Sequence, residues 1–339
     1  MKFAPNPQTW LATFSIELAS ASTQLYANGR QQVELRLKAQ ANSQNNQQIS
    51  PSELASLRIV ERGNDGIFRP LPAIEAPGGW WCSEIRNEYD FYAPGVASHA
   101  VIPTCSTTEA GLGQRLLTQF KKLWIAKQAP PLYIKPLYVM TEAPGSSQIE
   151  LYAQITQDAG DVFITDYIFV SSVVLTAVRP EDFSAAEDYL LDKNLVSGTE
   201  ASGIFVYELL LHPKAMRFLS ARMDPKGMIQ WDDRDSSVQH ASHVGYAGPG
   251  ESDFKYDEQI DTGPQFVRVN YVTAVSPGKI TFVLQGDINI PYHHDSALYH
   301  NGPCRIDALD SNGNAHALQI KFAGPTGFPD RVNLTLIDG

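Results

Sequence analysis

The residues best suited to chemistry crowd towards one end of the chain. All but one of the eight histidines lie beyond position 211. His240-Ala241-Ser242-His243 spaces two imidazoles three residues apart, so one helical turn could offer both to a zinc ion, which takes four ligands in a tetrahedron. The acidic run Asp232-Asp233-Arg234-Asp235 directly follows Trp231 and supplies the carboxylate oxygens that calcium prefers. Asp232, Asp233, Asp235, His240 and His243 are therefore the candidate ion ligands, for calcium between modules or for zinc. Against this, both runs have loop-like flanks. The adjacent His293 and His294 would also face opposite sides of a strand. Surface or capping histidines and a solvated acidic loop are the simpler expectation, and no motif demands a cofactor.

Two further acidic stretches read structurally. Asp310-Ser311-Asn312-Gly313-Asn314 begins like a calcium loop, but its sixth and twelfth positions are Ala315 and Lys321 where such a loop needs Gly and Glu. Asn312-Gly313 fits a tight hairpin better. Glu84-Ile85-Arg86-Asn87-Glu88-Tyr89-Asp90-Phe91 alternates, which would place three acids and Arg86 on one face of a strand. A glycosidase needs two carboxylates facing each other across a cleft, whereas this face neutralises itself.

Aromatic residues suggest recognition. Gly78-Gly79-Trp80-Trp81 precedes Tyr89, Phe91 and Tyr92, and Trp231 and Tyr246 lie in a Gly- and Asp-rich stretch. Trp80 and Trp81 would point to opposite faces of a strand, so one belongs to the core and the other can meet a sugar ring or a protein surface. Trp81, Tyr92, Trp231 and Tyr246 are the candidate ligand-binding residues, with core packing as the competing reading.

Composition narrows the classes. The chain has 339 residues, 43% hydrophobic, with 26 basic and 37 acidic side chains for a formal charge of −11. Nucleic acid is not an expected partner, because phosphate-backbone binding needs clustered Lys and Arg. No apolar run reaches membrane-helix length. Met1-Lys2-Phe3-Ala4-Pro5-Asn6-Pro7 does not read as a signal peptide, which suggests cytoplasmic synthesis with non-classical export or incorporation into a particle. Three cysteines form no disulfide framework. Cys82 and Cys105 can pair, and free buried thiols are the default. Gln119 to Lys127 is basic and partly apolar, which would suit an anionic membrane as a helix or a lysine-protected edge as a strand. The phosphate loop, the dinucleotide fingerprint, the serine elbow, His-Glu-x-x-His and Cys-x-x-Cys are all absent, so a non-enzymatic role is expected.

The elements that must position these residues are mostly strands. Val33–Leu37, Ile149–Ala153 and Ile280–Leu284 each alternate with period two after a turn-prone segment. Counting 24 residues on from each start reaches a second β-rich run, at Leu57, Val173 and Cys304. The starts are 116 and 131 residues apart, about one sandwich each. This threefold spacing predicts a mainly β chain of three consecutive antiparallel immunoglobulin-like β-sandwich modules, at 1–128, 129–225 and 226–339. Residues 224–263 are expected to be a long loop or linker. Helix is expected only over 109–126, where Leu112, Leu116, Phe120 and Leu123 share a side, and over 181–192.

Tyr26-Ala27-Asn28-Gly29 followed by Arg30 to Ala39 resembles the opening of a bacterial immunoglobulin-like repeat of the invasin and intimin kind, a likeness confined mainly to residues 26–60. The resemblance implies a spacer or adhesive module, on a cell surface or in a phage particle. The expectation is a non-enzymatic binding or adhesion protein of bacterial or phage origin that recognises a glycan or protein through sandwich loops. A membrane-interacting toxin or effector is the alternative, and a metal-dependent or carbohydrate-active enzyme the third reading.

Overall fold

The computed structural model describes residues 7–45, 48–93, 130–232, 240–324 and 330–339. The protein is mainly β, and its chain divides into two compact units, the first built almost wholly from residues up to 179 and the second from Pro180 onward.

The first unit contains β1 (Leu11–Leu18), β2 (Gln24–Tyr26), β3 (Val33–Ala41), β4 (Arg58–Arg62), β5 (Phe68–Pro70), β6 (Trp80–Ser83), β7 (Leu132–Thr141), β8 (Gln148–Thr156), β9 (Val162–Ile164) and β10 (Val173–Val178). One sheet runs β1-β3-β7-β6, and the other runs β2-β10-β8-β4-β5 with β9 on β8. All pairings are antiparallel except that of β2 with β10. In β3 the alternate residues Val33, Leu35, Leu37, Ala39 and Ala41 are buried, the period-two pattern of a strand with one face on a core. They join Phe14 and Ile16 of β1, Leu151, Ala153 and Ile155 of β8 and Leu175 of β10 in one cluster, so the two sheets close face to face as a sandwich. The short helix α1 (Pro51–Ala55) starts where Ser50 and Glu53 form a reciprocal capping box with proline in the first turn.

The second unit contains β11 (Tyr189–Thr199), β12 (Ile204–Pro213), β13 (Phe218–Asp224), β14 (Met228–Trp231), β15 (Ala241–Ala247), β16 (Ile280–Asp287), α2 (His294–Tyr299), β17 (Cys304–Asp310), β18 (Ala315–Ala323) and β19 (Asp330–Asp338). Its sheets run β11-β12-β16-β15-β14 and β13-β17-β18-β19. They enclose a second core that includes Phe205, Phe218, Phe282, Leu284, Ile306 and Ile320. Residues 248–279, with almost no regular structure, lie over the outer face of the first of these sheets. Phe254 and Val272 pack with Ala247 and Val283, while Ile260 and Phe266 pack with Ile229, Trp231 and Ala241. Every residue of β15 is therefore buried. Gly245 permits the close cover, since a Cβ there would meet the Tyr256 ring at 2.5 Å.

The strand expectations at Val33, Ile149, Ile280, Leu57, Val173 and Cys304 match β3, β8, β16, β4, β10 and β17, give or take one residue. The hairpin at Asn312-Gly313 joins β17 to β18, with Gly313 at φ +80°. The units number two where the spacing predicts three modules. The strands before and after residues 94–129 interleave: β3 pairs β7, and β8 lies between β4 and β10. A repeat of strand spacing carries no information about which distant strand becomes the hydrogen-bonding partner.

Three local expectations are corrected. Residues 224–263 hold β14 and β15 rather than a linker. The helix over 181–192 is a single turn, in which Ser184 N donates to Asp188 Oδ2 at 2.8 Å, before Tyr189 opens β11. Glu84 to Phe91 forms no strand; Glu84 pairs with Lys135 at 2.7 Å, and Arg86 donates to Gln32 and lies over Phe91. The helix over 109–126, the basic segment 119–127 and Cys105 lie outside the described residues. Cys82 and Cys304 are free thiols. Among the described residues no helix is long and apolar enough to cross a membrane.

Candidate functional site

Asp232 and His240 do come together, because the β14–β15 hairpin closes on them with Asp232 N donating to His240 O at 3.1 Å. Their side chains are 3.6 Å apart. The position a cation would take belongs to Arg331, whose Nε is 2.7 Å from Asp232 Oδ1. Arg331 is buried, donates to Ala241 O and Ser242 Oγ, and covers the Phe205 ring. His243 cannot join them. Three positions along an extended chain point to opposite faces, and His243 lies under the 248–279 cover, stacked on Tyr256 with centroids 5.0 Å apart. Asp233 and Asp235 lie outside the described residues. Among the described residues no group of three or more His, Cys, Asp or Glu is placed to hold a metal ion.

The aromatic candidates are mostly core. Trp81, Trp231 and Tyr246 are 5%, 4% and 3% exposed, so none presents a ring face to a ligand. Trp81 sits on β6 against Gly29, while Trp80 packs on the first core. Trp231 donates from Nε1 to Ile290 O at 3.2 Å and meets Tyr292 edge to face. Tyr92 is half-buried and packs edge to face on Tyr26 at 5.1 Å. Alternation bears only on Trp80 and Trp81; Trp231 and Tyr246, expected in a loop, lie on β14 and β15, where packed segments bury them.

Among the described residues, two further groups of side chains of catalytic types are buried or paired. Tyr189 Oη lies 2.6 Å from His316 Nδ1, and His316 Nε2 lies 3.0 Å from Asp310 Oδ2. Asp310 also accepts from the main chain of Asn312 and Asn314. The His316 and Asp310 side chains are fully buried, so this relay braces the β17–β18 hairpin from within the core. His300 Nδ1 and Asp257 Oδ2 are 2.8 Å apart, tying the cover to α2. An open depression of about 460 Å³ lies on the outer face of the β13-β17-β18 sheet. Its arginines, Arg222 and Arg305, are already paired with Asp224 and Asp307.

Among the described residues, a surface feature with a constructed geometry is the β9–β10 loop, residues 165–171. Its two ends are clamped. Thr165 N donates to Ala153 O at 3.1 Å, and its Oγ1 accepts from Ala153 N at 3.0 Å. Ser171 N donates back to Thr165 O at 2.8 Å, and the Ser171 hydroxyl engages both main-chain groups of Ile16. Phe169 turns inward and meets Phe14 edge to face at 5.6 Å. That anchor leaves Tyr167 84% and Val170 78% exposed, with Ile168 also outside. Val170 sits at φ +41°, a costly conformation for a β-branched residue. Acidic side chains border the loop: Ser172 Oγ donates to Glu150 at 2.8 Å. Burial first, then Glu150 and Asp166, raise the Tyr152 hydroxyl above its usual range.

This loop was not among the candidate residues. Its signal is the consecutive apolar run Tyr167-Ile168-Phe169-Val170, which breaks the period of two that a half-buried strand would keep. No protein-family model matches the chain, and no curated protein matches it significantly.

Proposed function

We propose that this chain is a non-enzymatic recognition protein that engages a protein partner through the 165–171 loop of its first unit. The observation that carries the reading is the pairing of a braced backbone with outward apolar side chains. A loop clamped at Thr165, Phe169 and Ser171 loses little freedom on binding, and that lowers the cost of association. Tyr is enriched among the residues that dominate interface energies. Strain of the kind at Val170 tends to accumulate where function requires it. Glu150 and Asp166 favour a partner whose apolar surface is rimmed by basic residues. The adhesive role implied by the first-module resemblance belongs to the same class.

The test places a photo-crosslinking benzoylphenylalanine at Tyr167, with a control at Tyr271, in cells of the source organism. A discrete protein adduct from position 167 that disappears with Ile168→Asp supports the reading. Crosslinking at 271 alone overturns it, as does selective glycan-array binding by purified protein that Tyr167→Ser leaves unchanged.

A further inference from the structure

His243 is an imidazole without a hydrogen-bond partner at either ring nitrogen, although it is fully buried. It stands on the outer face of β15, between Ile229 of β14 and Gln285 of β16 in the cross-strand register. The cover closes over it, with Tyr256 stacked on the ring and Phe266 edge-on at 6.0 Å. The charged group that bears on it is Arg268, also from the cover, which donates to Ile260 O at 2.9 Å and lies over Tyr256. Gln285 is committed elsewhere, accepting from Val269 N and donating to Val267 O. The neighbouring Asp257 and Lys255 are engaged by His300 and Glu251.

We propose that residues 248–279 form an acid-released cover, which closes on the sheet only while His243 is neutral and lifts from it when His243 gains a proton. In the closed state a charged imidazole would have no acceptor and would face a guanidinium, so both burial and Coulomb repulsion oppose protonation. In the lifted state water solvates the ring and that penalty vanishes. Burial, then Arg268, hold the closed-state pKa of His243 down to about 3, against an ordinary 6.5. The sign follows. The open state binds more protons between these values, so closure is at full strength above pH 6.5. It weakens as pH falls, by about tenfold in the opening constant per unit, until near pH 3. Lifting uncovers Ile229, Trp231, Ala241 and Val283, an apolar face that neutral pH keeps covered.

Hydrogen exchange by mass spectrometry on the full chain, between about pH 7 and about pH 4.5 and corrected for intrinsic rates, tests this. Peptides spanning 250–270 should open roughly 100-fold more often at the lower pH, while β16 stays protected. His243→Phe should abolish that pH dependence. Should the variant fold poorly, the His243 ring signal in the unaltered protein decides by NMR, since its protonation should coincide with opening. An opening constant independent of pH overturns the proposal, and so does an equal slope in His243→Phe. A ring that titrates near 6.5 with the cover still closed overturns it as well.

Discussion

Ser171 satisfies both main-chain groups of Ile16 with a single hydroxyl, accepting from Ile16 N at 3.0 Å and donating to Ile16 O at 2.9 Å. Ile16 lies on β1, which among the described residues pairs only with β3. Without Ser171 the outer edge of that strand would leave buried polar groups unmet. The same contact is one end of the clamp on the exposed loop, so the closure of a sheet edge and the presentation of Tyr167 have a common origin.

Ser171→Ala should therefore destabilise the first unit by about 1–3 kcal/mol, the cost of leaving buried polar groups unsatisfied. Urea unfolding measures it, and exchange in 165–171 should rise above that of β8. A change within about 0.3 kcal/mol would mean that water replaces the hydroxyl without loss.

Gly245→Ala tests the cover from the opposite side. A methyl group would meet the Tyr256 ring at 2.5 Å and Lys255 O at 2.8 Å, and Tyr256 is held by its hydroxyl donating to Val269 O. Overpacking of this kind costs about 1–3 kcal/mol. We expect faster exchange throughout 250–270 at neutral pH, with unit-one peptides unchanged. Unchanged exchange would show that the cover repacks freely.

The buried relay should prove structural. Asp310 accepts from His316 Nε2, which leaves Nδ1 to accept from Tyr189, whose hydroxyl burial keeps protonated. Tyr189→Phe orphans Nδ1 at a cost of about 1–3 kcal/mol. His316→Leu should cost more, since it strips a partner from a buried carboxylate. Thermal melts of both variants give the order, and a reversed order would refute this assignment of donors.

Thiol chemistry reports the second core. Burial, with Asp257 and Asp224, pushes the Cys304 thiol up to about 12, and burial raises Cys82 to about 11. At pH 8 only about one Cys304 in ten thousand is thiolate, the reactive form. In a background carrying both Cys82→Ser and Cys105→Ser, a disulfide reagent should leave Cys304 unmodified until denaturant unfolds the second unit. Stoichiometric labelling of the native protein within minutes would contradict the burial.

The features legible in the amino-acid sequence are those set by neighbouring residues. Val33 to Leu37 alternates, so it forms a strand with Val33, Leu35 and Leu37 inward. Asn312-Gly313 turns a hairpin because Gly313 takes φ +80° without steric cost. The mainly β class and the positions of six strands, β3, β4, β8, β10, β16 and β17, follow from such local rules. Pairing does not, since β3 finds its partner β7 across about a hundred residues. Period-two spacing is the same whether the partner lies in the next hairpin or the next module, so three expected modules became two units.

The candidate sites divide on the same line. Alternation places Trp80 and Trp81 on opposite faces of a strand, but whether the outer face is wet, there or at Trp231 and His243 in the stretch expected to be a loop, depends on chain far away in sequence. Residues 248–279 lie over His243 and pack against Trp231. The extended backbone separates His243 from His240 where a helical turn would have joined them, and Arg331, about a hundred residues further on, claims Asp232. Local sequence decided that this chain forms strands and turns. Only tertiary packing decided which faces met water, because burial depends on contacts between segments that no local pattern connects.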